Sequence, residues 1–370
     1  LDIDIYHVFI GYLLQISGMV LFALAVRRKP DINIAKRYFV IILIAEAAVI
    51  TATMLSKWDV LSFGLSFVMN LLHGMVAGFY LTLLSSHVPQ QYRGRVFGFG
   101  YAFGSIGSWL LSLPLGRKFL NMDGIVIVYL VLIGATLIIT SRISHEDVLP
   151  IESSSTDNFN TKSLINIFIV LVLLSLVKNL GFYFPASDIS DVINLEFSRA
   201  FYAIGLIAAG FINDINRRYG AICCVAALSF AFISFALINK PGYSVLLWII
   251  GYVFFGFFSV YRVVVFSDIS SKKASFLPLA AFGLMAGRTG DSFGTLGGVL
   301  LSESIMPLVL VASILFVIVI LMFFSLYNKL YNSTMTESER KQQQYETFEN
   351  KYTLSRRESE VFRLIVQGLS

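Results

Sequence analysis

Charge is scarce in this sequence. Lys, Arg, Asp and Glu together make up 14% of its 370 residues, while hydrophobic residues make up 56%; an average soluble domain carries roughly 25% charged residues. A chain with so little polar surface cannot coat a water-soluble globule of this length. The same shortage excludes a disordered chain, a collagen and a long coiled coil. Cysteine is nearly missing as well. The two present, Cys223 and Cys224, are adjacent, which excludes a disulfide framework and a cysteine metal centre. Four histidines, His7, His73, His87 and His145, are scattered over separate segments. No phosphate-binding loop, HExxH, CxxC or nucleophile elbow occurs. The expectation is a protein that is not an enzyme and has no catalytic, cofactor or metal site.

What is present is apolar length. A membrane helix needs about 20 apolar residues, because the hydrocarbon core is ~30 Å thick and each residue rises ~1.5 Å. Eleven runs qualify, at roughly 7–26, 36–55, 61–86, 94–116, 124–141, 163–184, 198–213, 220–238, 243–265, 277–301 and 304–328. The seventh is short and Gly-rich. The runs are continuous rather than alternating, so helices are expected and barrel strands are not. The fold class expected is therefore all-α and polytopic.

The formal charge of +5 is distributed unevenly. Arg27, Arg28, Lys29, Lys36, Arg37, Arg93, Arg95, Arg142, Lys162, Arg217, Arg218, Lys272 and Lys273 occupy one set of loops. Lys57, Arg117, Lys118 and Lys240 occupy the other. The first set should be cytoplasmic, and the tail after Tyr327 falls on the same side. The chain starts at Leu1, on the outer side by this count. A further helix before it is expected, which would make twelve. A polar, Ser-rich stretch at 142–162 divides the runs into five and six. The expected units are 1–141, the connecting loop 142–162, 163–328, a linker 329–352 and a segment 353–370.

Two stretches echo each other six spans apart. QYRGRVFGFGYAFGSIGSWLLSLPLG (91–116) and SKKASFLPLAAFGLMAGRTGDSFGTLGG (271–298) both run from a basic pair into a Gly-rich helix. Glycines four apart let another backbone approach closely, and their recurrence suggests an internal repeat. RGRVFG before a Gly-rich span resembles the junction of the fourth and fifth helices in the major facilitator superfamily. GFINDINRR (210–218) looks like a degenerate form of that family's signature loop. The first-half counterpart, AVRRKPDINIAKR (25–37), keeps the basic residues but lacks the signature's Gly and Asp, its one acid being Asp31. The resemblance covers about 1–328 and implies a two-half bundle. The degenerate loop implies slow or absent transport.

The tail changes composition. NSTMTESERKQQQYETFENKY (332–352) is polar, and TLSRRESEVFRLIVQGLS (353–370) follows. Ser355 and Glu358 can form a capping box. Val361, Phe362, Ile365 and Leu369 share one helix face, and Gly368 is a stop. By pattern alone this is an amphipathic membrane-surface or partner helix. The order Leu354, Ser355, Arg357, Glu358, Glu360, Val361, Leu364, Gly368, Ser370 resembles the start of a LuxR-type helix-turn-helix domain. The resemblance implies a DNA partner and pairing as a dimer on a two-fold site. The base-reading helix is not in the sequence.

Ionisable residues deep in spans are costly and usually face a cavity or a partner. Glu46, His73, Arg288 and Asp291 lie near the middle of theirs, with Asn70 one turn before His73. Arg288 and Asp291, three apart on one helix face, are either a structural ion pair or part of a ligand site. His73 is either a structural hydrogen-bond partner or a ligand contact. Lys178 lies near the outer end of its span. Arg262, near the inner end of its own, is expected to snorkel. In the facilitator resemblance the spans of His73, Lys178 and Arg288 line the central cavity, whereas that of Glu46 is peripheral. His73, Asn70, Lys178, Tyr252, Arg288 and Asp291, with Phe182 and Tyr183 nearby, would form a cationic pocket for a small carboxylate. The leading expectation is a regulator in the bacterial cytoplasmic membrane that senses a small anion and binds promoter DNA. The alternatives are a secondary transporter of a small organic anion and a scaffold without a ligand.

Overall fold

The computed structural model describes residues 3–27, 32–112, 122–143, 161–188, 195–237, 244–301 and 305–331, together with Tyr345, Phe348, Tyr352, Leu354 and 356–366; at some helix ends only the backbone is described. Every regular element among them is helical. This follows from the solvent: in hydrocarbon each backbone N–H and C=O must be satisfied within its own segment.

The elements are α1 (Ile3–Arg27), α2 (Ile32–Leu55), α3 (Asp59–His87), α4 (Arg93–Ser112), α5 (Met122–Arg142), α6 (Thr161–Asp188), α7 (Leu195–Ile215), α8 (Arg217–Ala226), α9 (Ser229–Leu237), α10 (Ser244–Ser270), α11 (Phe282–Leu301), α12 (Ile305–Tyr331) and α13 (Arg356–Val366). Seven of these, α1, α2, α3, α5, α6, α10 and α12, are long and apolar enough to cross a membrane. The other four expected spans fall on helices that are not. α4 is diluted by glycine, and the apolar part of α7 is short (Ala200–Ile215). α11 carries Arg288 and Asp291. The run expected at 220–238 is split into α8 and α9, where Leu228, Phe230 and Ala231 donate to carbonyls three residues back. That is 3₁₀-type tightening, a common cause of a bend in a long helix.

The echo between the two Gly-rich stretches is structural. α4 and α11 are each preceded by a 3₁₀ turn, at Gln90–Tyr92 and Ala274–Leu279. Each then packs along one principal neighbour, α4 on α7 and α11 on α6. α1 lies against α3 so closely that a Cβ on Gly18 or Gly74 would overlap the other helix's backbone. One apolar core joins both sides of the bundle through Met19, Leu81, Phe97, Ala203, Leu206, Val260 and Leu284. A second holds α1, α2 and α3 together, centred on Phe39 stacked on Phe79 at 4.0 Å. The outer faces remain apolar: Ile41, Val131, Ile139 and Leu310 are each more than half exposed. Such a surface needs lipid around it, and the protein is a multi-pass membrane protein.

The chain forms two compact units, Leu1–Met322 and Phe323–Ser370. In the second, α13 is strongly amphipathic, and its Phe362 stacks on Phe348 with ring centroids 4.5 Å apart. Ser355, Gly368 and most of the 142–162 and 329–352 segments lie outside the described residues.

Candidate functional site

The centre of the bundle is built on α11. Where α11 meets α6, a Cβ on Gly290 would overlap the Val172 carbonyl, and one on Gly294 would sit 2.8 Å from Asn179 Cβ. This close approach places Asp291 opposite Lys178, whose Nζ donates to Oδ1 at 2.6 Å. Asn179 Nδ2 donates to the Asp291 carbonyl at 2.8 Å, which fixes the register of the two helices. On the other flank Arg262 of α10 lies against the bare backbone of Gly287, the space a side chain there would fill. Arg262 Nη1 reaches Asp291 Oδ2 at 3.4 Å. Lys178, Arg262 and Asp291 are all buried.

Arg288 is not in this cluster. Its guanidinium stacks over the Tyr12 ring of α1 at 4.7 Å. Tyr101 of α4 and Tyr202 of α7 are also within electrostatic reach of it, and Tyr80 of α3 interacts with both Arg288 and Arg262. Tyr202 is 5.8 Å from Tyr101 ring to ring and 6.4 Å from Tyr252, and its hydroxyl is 2.6 Å from Ser259 Oγ. Lys178 Nζ caps the Phe255 ring at 4.6 Å. The result is a set of tyrosines around one guanidinium that makes no ion pair among the described residues, although Asp291 also lies within electrostatic reach of it.

Several sequence expectations are corrected here. Arg288 and Asp291 do not pair, although they are three apart. Helical side chains lean toward the helix N-terminus, so Arg288 reaches back over the preceding turn to Tyr12 while Asp291 sits one turn further on, between α6 and α10. Arg262 does not snorkel; it is 4% exposed and tied to Asp291. His73 does not join the cationic cluster. Its Nε2 lies 2.8 Å from Glu46 Oε1. The buried stripe of α2, which runs through Phe39, Ile42, Leu43, Glu46 and Ile50, faces α3, and this accounts for Glu46. Asn70 sits in the seam of α1 and α3, accepting from Gln15 Nε2 at 2.7 Å. Lys178 and Asp291 are brought together, Arg288 lies over Tyr12, and Tyr252 lies 6.4 Å from Tyr202. The side chains of Phe182 and Tyr183 lie outside the described residues.

A second polar cluster closes the end of the bundle where the basic loops gather. Asp214 accepts from the backbone N–H of Gly94 and of Arg95, both at 2.8 Å, and from Arg95 Nε at 3.0 Å. It therefore caps the positive end of α4. Gly94 is required there, because a Cβ would overlap the Gly210 carbonyl. Arg217 bridges Asp214 at 3.0 Å and Asp268 at 2.8 Å, and also donates to the Gln90 carbonyl. Burial works to lower the Arg217 pKa, but Asp268 and Asp214 outweigh it and raise it above the ordinary arginine value. Arg93, buried, donates to Asp268 at 2.9 Å and to the Ser85 carbonyl at 2.8 Å. These contacts tie α3 and α4 to α7 and α10. Asp214 stood in the signature-like loop; the Arg93–Asp268 pair had no signal in the sequence. Among the described residues no group of three or more His, Cys, Asp or Glu could hold a metal.

No protein-family model matches the chain, and no curated protein matches it. Solved structures do. The human organic anion transporter MFSD10 (TETRAN) superposes with a TM-score of 0.62 at 13% identity, over 85% of this chain and 83% of that one. A point mutant of the nucleoside transporter NupG aligns with a TM-score of 0.49 at 14% identity, over 87% and 91%. The membrane unit therefore shares its fold with the MFSD10 structure.

Proposed function

We propose that the membrane unit binds a small organic anion in the central chamber and carries it across the membrane as a secondary transporter. One observation carries the reading: the Arg288 guanidinium sits among tyrosines from α1, α3, α4 and α7 and makes no ion pair among the described residues, while Asp291, within electrostatic reach, is held by Lys178 and Arg262. An arginine stays charged at every accessible pH. In hydrocarbon a bare guanidinium is costly, so a site that keeps one unpaired is suited to receive the opposite charge. The helices α4, α8, α9, α7 and α11 then complete the expected spans, and the basic end, with the Asp214–Arg217–Asp268 cluster, faces the cytoplasm of a bacterial inner membrane. In that orientation the cluster holds the inner side closed while the chamber loads. The test is uptake of radiolabelled carboxylates into proteoliposomes. The reading expects saturable uptake that Arg288→Gln abolishes; binding without uptake would remove transport and leave the anion site.

A second reading rests on the Phe323–Ser370 unit. The order LSRRESEVF…QGLS (354–370) and the helix α13 within it favour a LuxR-type domain, so that anion occupancy is relayed to promoter DNA by a dimer. Gel shifts of the full-length protein on candidate upstream regions, across a salt series, test this reading. Sequence-selective binding that weakens with salt would favour the regulator; binding absent at every salt leaves the transporter.

A further inference from the structure

The central chamber holds more positive charge than its own carboxylate can balance. Lys178 and Arg262 pair with Asp291, Arg288 lies within electrostatic reach of the same carboxylate, and Asp291 is the one carboxylate that the described residues place there. Asp291 is already committed. Its Oδ1 takes the short contact from Lys178, which leaves Arg262 a long one to Oδ2. Arg262 Nε and Arg288 Nε are both buried without a hydrogen-bond partner. The two guanidinium groups share their surroundings: Tyr12, Tyr80, Lys178 and Asp291 each lie within electrostatic reach of both. Neither can shed its proton. A lysine could neutralise itself in hydrocarbon, but the one here is paired. Three cations against one carboxylate leave two positive charges, and each of the two guanidinium forks keeps an unused Nε donor. Each fork matches a carboxylate or phosphate in a bidentate fashion.

From this geometry we infer that the chamber takes a doubly charged organic anion, a dicarboxylate or a phosphomonoester, with one charge held by Arg288 and the second by Arg262. Arg288 orients the first group against Tyr12 and Tyr101. Arg262, held loosely at 3.4 Å, turns from Asp291 toward the second and leaves Asp291 to Lys178. The ligand thus supplies the charge that the protein lacks, and the loaded chamber is electrically neutral. This inference rests on the anion-site reading above and adds the charge of the ligand to it.

The experiment compares matched pairs that differ by one charge. Purified full-length protein in chloride-free, mildly alkaline buffer is titrated calorimetrically with succinate against succinamate, isophthalate against its monoamide, and phenyl phosphate against methyl phenyl phosphate. At least one dianion should bind about tenfold or more tighter than its singly charged partner, and which pair responds separates a carboxylate from a phosphate source. In Arg262→Gln the ratio for that pair should fall to about one. If Arg262→Gln does not fold, the parent ratio alone decides the inference. Equal binding of both members of every pair overturns the double charge but leaves the organic-anion reading intact. No binding by any member, with a folded parent, overturns both.

Discussion

Replacing Asp291 by asparagine removes the carboxylate that holds Lys178 and Arg262 and changes almost nothing in shape. Both cations stay in place, 9% and 4% exposed. Breaking a buried ion pair from one side costs about 3–5 kcal/mol, since the stranded charge keeps its desolvation cost. Here two charges are stranded rather than one, so the loss should lie toward the upper end of that range. Removing Lys178 as well relieves part of it. Equilibrium unfolding in mixed micelles of Asp291→Asn, Lys178→Gln and the double variant gives the coupling. The double variant should lose less than the sum of the singles by about 2 kcal/mol, as expected for contacting residues. Strict additivity of the two singles would refute the pairing, and a parental stability for Asp291→Asn would refute the burial argument.

Gly290→Leu drives a side chain into the Val172 carbonyl and should prevent folding or cost more than about 3 kcal/mol. Gly104→Leu in α4, where nothing lies within 4 Å, should leave the unfolding midpoint near the parent's. Arg93→Ala removes the buried link to Asp268; a cysteine placed at Gln90 should then react several-fold faster with a membrane-impermeant maleimide in inside-out vesicles. Glu46→Leu removes a buried carboxylate whose partner His73 has a 42% exposed side chain, so equilibrium unfolding should shift by no more than about 1 kcal/mol.

The helices and their approximate bounds were legible because apolar length is a strong signal and lipid leaves the backbone few alternatives. The echo was legible in the glycines within α4 and within α11, and both helices sit behind 3₁₀ turns in the structure. The partners of the charges were not. A sequence shows that Arg288 and Asp291 share a face, but not that one leans back to Tyr12 while the other is enclosed by α6 and α10. Glu46 had no account until α2 was seen to turn its buried stripe toward His73. Arg262 looked like an interfacial residue from its depth alone. The signal that could have found it was Gly283 and Gly287, glycines four apart that clear a seat for the arginine on the adjoining helix. Two of the runs that fall short on apolar length, α4 and α11, are rich in glycine, and Gly94 and Gly98 of α4 and Gly290 and Gly294 of α11 lie where those helices meet α7 and α6.

The central claim is that Arg288 is the anchor for an organic anion, and direct binding to the Arg288→Gln variant tests it most closely. Tyr12 holds the arginine by a ring contact rather than an ion pair, so the substitution strands no buried carboxylate, and the variant should fold with a melting temperature close to the parent's. Thermal-shift titration with a panel of mono- and dicarboxylates should stabilise the parent in proportion to the logarithm of ligand concentration. The account predicts that this stabilisation vanishes in Arg288→Gln while the unliganded midpoint is kept. A folded Arg288→Gln that binds the same carboxylate with the parent's affinity would contradict it.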